Sequence, residues 1–222
     1  VKYKAAIFDL DGTLVDSLGD MADSINAVIA SYGYPQHSIE RYGEMAGDGL
    51  VSLIRRSLPP ERSNDIDFVI SLIPKVDQEY DKRWFVRTHP YDGIPELLDL
   101  INSKNVGLAI LSNKPHAFVT KFIPHFFPDI RFDVVFGARK GIPQKPSPAA
   151  AYEIASIIGI DASECIFIGD SAADMLTGKT ADMFSVGVTW GFRPPEELLY
   201  AGADIVVHHP REIMNLLEGL VI

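Results

Sequence analysis

The chain has 222 residues, which at roughly 150 per domain is one full domain and about half of another. A composition of 47% apolar residues, with 12 Phe, 8 Tyr and 2 Trp, fills a sizeable core, and 23% charged residues is ordinary for a globular protein, so a disordered or fibrous chain is excluded. Thirty acidic against 20 basic side chains give a net charge of −10, which repels nucleic-acid backbones and anionic membrane surfaces; no nucleic acid and no membrane is expected as partner, and a small anionic substrate would need a bound cation to reverse the charge locally.

In chain order, residues 5–10 form a short apolar run of strand length that delivers Asp9-Leu10-Asp11-Gly12-Thr13 to its C-terminal tip. Residues 16–87 hold no comparable strand run and read as helices over 18–31, 39–42, 50–57 and 65–85, punctuated at Gly33-Tyr34-Pro35, Gly47-Asp48-Gly49 and Pro59-Pro60. Beyond them, strand runs at 106–111, 132–136, 165–168, 184–188 and 204–207 alternate with helices predicted over 94–101, 117–126, 147–158, 172–181, 195–200 and 212–217. Nearly all-apolar strands alternating with helices predict an α/β fold, a doubly wound parallel sheet covered on both faces. The core domain is expected at 1–15 and 88–222, with 16–87 as an inserted α-helical domain. Cys165, the single cysteine, sits in an apolar run and is expected to be an inert core thiol. No run approaches the ~20 apolar residues of a bilayer span, and too few precede Asp9 for a signal peptide, so a cytoplasmic protein is expected.

Ligands of open α/β sheets bind beyond the carboxyl ends of the strands. Three predicted strands end there in polar groups: Asp9, Asp11 and Thr13 after the first, Ser112 and Asn113 after the second, Asp170 and Asp174 after the third. Asp9 and Asp11, spaced i, i+2, leave an extended chain on the same side, and Gly12 lets the backbone turn sharply. Two carboxylates this close repel unless a cation joins them, and Asp170 completes a hard oxygen environment that suits Mg²⁺. Asp16, Ser17, Asp20 and Asp23 sit at a helix start, where acids complement the helix dipole, and are expected to be structural. The six histidines show no metal-ligand spacing, and His208-His209-Pro210 is expected to be an exposed loop.

Taken in order, Asp9-Leu10-Asp11-Gly12-Thr13, Ser112-Asn113, Lys145-Pro146 and Gly169-Asp170-Ser171-Ala172-Ala173-Asp174 resemble the four motifs of the haloacid dehalogenase-like superfamily of phosphohydrolases. The resemblance implies a Rossmann-like core with the helical insert as its cap domain. It implies that Asp9 is the nucleophile that forms an aspartyl phosphate, that Asp11 is the general acid and then the base, and that Ser112 and Lys145 hold the phosphoryl oxygens. Mg²⁺ would be held by Asp9, the backbone carbonyl of Asp11 and Asp170, with Asp174 either orienting a metal-bound water or holding Lys145. Thr13 and Asn113 are carried over as substrate-binding residues, the Asn113 side chain either binding phosphate or capping the next helix. Gly47 and Gly49 flank a loop that either brings backbone amides to a small anionic substrate or is an ordinary turn.

Arg41, Arg55, Arg56 and Arg193 are candidates to pair with a substrate carboxylate. Residues 11–17, 111–114 and 190–193 most resemble phosphoglycolate phosphatases, which implies hydrolysis of a small phosphate ester such as 2-phosphoglycolate. A pyrophosphatase, a sugar-phosphate phosphatase and a β-phosphoglucomutase-type phosphotransferase stay open as alternatives, although the mutase's cap histidine has no counterpart in Leu18-Gly19-Asp20-Met21-Ala22. A non-catalytic binding module is disfavoured by the intact set Asp9, Asp11, Ser112, Lys145 and Asp170. The sequence carries no signal for an oligomeric state.

Overall fold

The computed structural model describes residues 2–47 and 49–219. Its backbone contacts divide the chain into two units, one of Val1–Val15 with Pro90–Ile222 and one of Asp16–His89. The first unit opens with β1 (Ala5–Phe8), all four residues fully buried, and the chain crosses to the second unit at β2 (Val15–Asp16). The second unit holds α1 (Leu18–Ser31), α2 (Ile39–Met45), α3 (Gly49–Ser57), α4 (Pro60–Ser63) and α5 (Ile66–Asp81). The chain returns at β3 (His89–Pro90), which pairs with β2. Then follow α6 (Ile94–Ser103), β4 (Gly107–Pro115), α7 (His116–Phe126), β5 (Val134–Ala138), α8 (Ala149–Ile158), β6 (Cys165–Gly169), α9 (Ala172–Thr180), β7 (Phe184–Val188), α10 (Pro195–Tyr200), β8 (Ile205–Val207) and α11 (Pro210–Glu218).

Six strands form one parallel sheet in the order β5-β4-β1-β6-β7-β8. The chain winds outward from β1 through β4 to β5, then crosses back to β6 beside β1, so the order reverses there and the tips of β1, β4 and β6 lie side by side. On one face, Ala150, Ala151, Ile154 and Ala155 of α8 pack against Ala5, Ile7, Ala109, Leu111, Cys165 and Phe167. The alanines let helix and sheet approach closely, and the alternation of β1 sends Ala6 and Phe8 to the opposite, equally buried face. Burial pushes the Cys165 thiol up to about 11, which keeps it in the unreactive form expected of a core cysteine.

Several element ends depart from expectation. β4 runs on through Ser112, Asn113 and Lys114, with a shift of register against β5 between Leu111 and Pro115. α8 starts after Pro148 instead of being capped at Ser147, and α11 starts at Pro210, with the exposed His209 accepting the Arg211 N–H through Nδ1. Pro59-Pro60 is more than punctuation, because proline is at home in a first helical turn and opens α4.

Within the helical unit, Ile25, Val28 and Ile29 of α1 and Val69, Leu72, Val76 and Tyr80 of α5 recur at three- and four-residue spacing, and these two helices pack on each other. Asp65 caps α5 by accepting the Phe68 N–H at 3.1 Å. Asp20 stands in the first turn of α1 and is structural, as expected. It is buried, and its carboxylate accepts the Arg87 N–H at 3.0 Å, the Thr88 N–H at 2.9 Å and the Thr88 hydroxyl at 2.7 Å, so it ties the segment before β3 to the start of α1. Among the described residues no helix is long and apolar enough to cross a membrane.

Removing the Asp20 carboxylate strands buried donors at roughly 1–3 kcal/mol for each one left unsatisfied. Asp20→Ala is expected to destabilise the protein by about 2–4 kcal/mol in urea unfolding, whereas Asp23→Ala, which removes an exposed ion pair with Arg87, should change it by less than about 1 kcal/mol. Equal effects of the two substitutions would contradict the role given to Asp20.

Candidate active site

The tips of β1 and β6 and the loop before α8 bring together Asp9, Asp170, Asp174 and Lys145, all buried. The Lys145 ammonium lies 2.8 Å from Asp9 Oδ1 and 2.6 Å from Asp174 Oδ1. Asp170 Oδ1 accepts the Thr13 hydroxyl at 3.1 Å and its Oδ2 accepts the Phe192 N–H at 2.8 Å. One oxygen from each of Asp9, Asp170 and Asp174 lies within 4.8 Å of the others. Ser112, at the tip of β4, accepts the Lys114 N–H through Oγ at 3.1 Å, which leaves its own hydroxyl proton to donate.

Three carboxylates around one ammonium leave negative charge in excess, and the titration of the group reflects it. Burial pushes Asp9 up to about 7 against the pull of Lys145, helped by the neighbouring Asp174 and Asp11. Burial likewise holds Asp170 well above the usual carboxylate range, with Asp174 and Asp9 adding to it. For Lys145 burial acts downward, but the Asp174 and Asp9 carboxylates outweigh it and hold the ammonium above its ordinary value. Buried oxygen donors with uncompensated charge are the donor set that fits a hard divalent cation.

An acid held above its ordinary value opposes folding once it ionises. The Asp9 contribution is therefore absent below its ordinary value of 3.8, grows as pH rises, and is complete above about 7. A divalent cation competes with those protons, so the rise in melting temperature on adding MgCl₂ is expected to be clearly larger at pH 8 than at pH 5.5 by differential scanning fluorimetry. An equal rise at the two pH values would remove this account of the site.

Several expected residues take other places. Thr13 is fully buried after Gly12, which stands at φ +85°, and its hydroxyl is turned onto Asp170, whose carboxylate it orients. The Asn113 side chain neither caps α7, whose N-cap is Pro115, nor reaches outward. It donates to the Lys145 carbonyl at 3.0 Å and accepts the Lys145 N–H at 2.9 Å, clamping the backbone that carries the ammonium. Of the two tasks open to Asp174, the structure shows one: Oδ1 holds Lys145 while Oδ2 accepts the Ser171 N–H and hydroxyl in a capping box of α9.

Gly47 and Gly49 belong to the helical unit and both have positive φ, +112° and +81°, with Gly49 opening α3; Asp48 between them lies outside the described residues. Among the arginines, Arg193 is tied to Glu197, Arg41 pairs with Glu44 at the surface, and Arg56 donates to the Met45 carbonyl.

Two features of the site carried no assigned role in the sequence. Lys114 is buried and its ammonium lies 2.9 Å from Asp11 Oδ1; the signal for it was its i, i+2 spacing from Ser112, which puts both on one side of β4. The other is the loop after β7, where the Trp190 Nε1–H donates to the Thr13 carbonyl at 3.0 Å and the Phe192 N–H holds Asp170. At Gly191 a Cβ would lie 2.3 Å from that of Asp170 and 2.4 Å from the Gly12 carbonyl oxygen, so only glycine fits. Gly191→Ala is expected to displace Asp170 and weaken binding of a divalent cation by about tenfold or more in calorimetric titration, as loss of a supporting contact at a metal site does. Unchanged affinity in the folded variant would show that this loop does not set the site.

The sequence profile described as haloacid dehalogenase-like hydrolase matches residues 6–188. The N-acetylmuramic acid 6-phosphate phosphatase of Pseudomonas aeruginosa is 30% identical over 219 residues, covering 98% of this chain and 96% of that protein. The phosphoglycolate phosphatase of Pseudomonas fluorescens is 28% identical, covering 95% of this chain and 78% of that protein. A crystal structure from Lactobacillus delbrueckii subsp. bulgaricus, provisionally named phosphoglycolate phosphatase, superposes with a TM-score of 0.88 at 28% identity, covering 98% of this chain and 99% of that one.

Proposed function

Because the chain belongs to the haloacid dehalogenase-like hydrolase family, we propose that it is a Mg²⁺-dependent phosphoric monoester hydrolase whose substrate is 2-phosphoglycolate. The observation that carries the reaction class is the buried Asp9–Lys145–Asp174 chain with Asp11 two residues along, at the carboxyl edge of the sheet. Among the described residues both bonds of Asp9, from the Leu10 N–H and from Lys145, fall on Oδ1, which leaves Oδ2 as the nucleophile.

Asp9 Oδ2 attacks phosphorus, the bond from phosphorus to the ester oxygen breaks, and Asp11 gives its proton to the departing alcohol. Asp11 then takes a proton from water, whose oxygen attacks the aspartyl phosphate at phosphorus and returns Asp9 as carboxylate. Lys145 faces the charge that builds on the phosphoryl oxygens, and the Ser112 hydroxyl donates to one of them. Asp9, Asp170 and the Asp11 backbone carbonyl would hold Mg²⁺, which when bound would supply further neutralisation of that charge. Residues 16–87 serve as the cap domain that confers selectivity.

The match along nearly the whole length of the N-acetylmuramic acid 6-phosphate phosphatase favours a second reading, a sugar 6-phosphate ester that also bears a carboxylate. Release of inorganic phosphate is to be compared by kcat/KM across 2-phosphoglycolate, N-acetylmuramic acid 6-phosphate, pyrophosphate and hexose phosphates, and the highest value names the substrate. Asp9→Asn is expected to lower kcat by roughly 10³-fold or more, and a chelator to abolish turnover. Undiminished turnover by Asp9→Asn would sink the mechanism, and phosphorylated sugar in place of free phosphate would identify a phosphotransferase.

A further inference from the structure

Lys114 is a buried ammonium that the reaction described above does not use. Its side chain is 2% exposed, while that of its partner Asp11 is 25% exposed. A buried ammonium is costly unless its charge and hydrogen bonds are met, and here they are met on two sides: Asp11 Oδ1 at 2.9 Å and the face of Phe122, whose ring centroid is 4.4 Å away. The backbone fixes the root of the side chain as firmly. The Lys114 N–H is bound by Ser112 Oγ, and the neighbouring strand β5 passes so close that a Cβ on Gly137 would lie 2.6 Å from the Lys114 carbonyl oxygen. Lys114 is thus a rigid arm anchored on β4 and α7, and it ends on one oxygen of a half-exposed carboxylate. Asp11 lies beyond the end of β1.

We infer that Lys114 is a positioning residue: by engaging Oδ1 it orients the Asp11 carboxyl toward the ester oxygen. The inference rests on the reading of Asp11 as the proton donor to the leaving group. It has a consequence that a structural or phosphate-binding lysine would not share. An alkyl alcohol leaves poorly without a proton, whereas 4-nitrophenolate leaves without one, so a lysine that works through Asp11 matters for the first ester and hardly for the second. The ratio kcat/KM reports only steps up to departure of the leaving group, and the later attack of water does not enter it.

The test measures kcat/KM for 2-phosphoglycolate and for 4-nitrophenyl phosphate in Lys114→Met, Asp11→Asn and the double variant, with circular dichroism to verify folding and Lys114→Gln as the substitute if Lys114→Met does not fold. The expected result is a loss of about 10–100-fold on the alkyl ester and under about threefold on the aryl ester for Lys114→Met, with the double variant no worse than Asp11→Asn. Equal losses on both esters, or a further loss when Lys114→Met is added to Asp11→Asn, would overturn the inference and leave Asp11 as the acid. If Asp11→Asn itself fails to discriminate between the esters, the assignment of the acid falls, and the role of Lys114 with it.

Discussion

Three buried carboxylates, Asp9, Asp170 and Asp174, share one small volume with a single buried ammonium, Lys145. Like charges about 4 Å apart repel by on the order of 4 kcal/mol at the effective dielectric of a protein near its surface. This cluster therefore opposes folding unless the surrounding structure compensates it, and much of the core unit can be understood as that compensation. Lys145 bridges two of the acids, Ser171 satisfies the far oxygen of Asp174, and Thr13 and the Phe192 N–H satisfy Asp170. What they leave uncompensated is negative charge on buried oxygens, the donor chemistry that fits a hard divalent cation.

The backbone makes this crowding feasible. A parallel sheet whose order reverses at β1 sets the tips of β1, β4 and β6 beside one another, and side-chain-free positions at Gly12, Gly169 and Gly191 let those tips and the loop after β7 close on Asp170 and Asp174. Lys145 sits on a loop, where its position would be loose, yet the Asn113 amide binds both polar atoms of its backbone. Each charged group is held by a neutral one at its back. That arrangement suits phosphoryl transfer, in which catalysis consists largely of positioning and electrostatic stabilisation and a poorly held group contributes little.

Much of the architecture was legible in residue order. Short apolar runs at 5–10 and 165–168 have too few residues for helices and alternate with helical patterns, so they read as buried strands, with the acids at their ends at one edge of the sheet. Strand and helix ends were less legible, because Asn113 and Lys114 are poor strand formers that fall in the irregular stretch of β4 between its pairings with β5 at Leu111 and Pro115, and because Pro60 and Pro210 start helices as readily as they stop them. Asp20 shows the same limit: its place in the first turn of α1 reads as a structural acid, and only its partners at Arg87 and Thr88 make it a tie between segments.

By itself the sequence determined which chemical groups stand at the strand ends and how they are spaced: Asp9 and Asp11 on one side of a strand, Ser112 and Lys114 on one side of another, and Asp170 a helical turn before Asp174. Spacing within one element is set by local backbone geometry, and local geometry is readable from residue order. Only the tertiary structure decided which of these groups meet. Thr13 meets Asp170 across 157 positions and Lys114 meets Asp11 across 103, and nothing local in either segment specifies the partner. Such pairs are selected by burial, because a polar side chain enclosed by the sheet's helices must bond whatever the neighbouring strands place within reach.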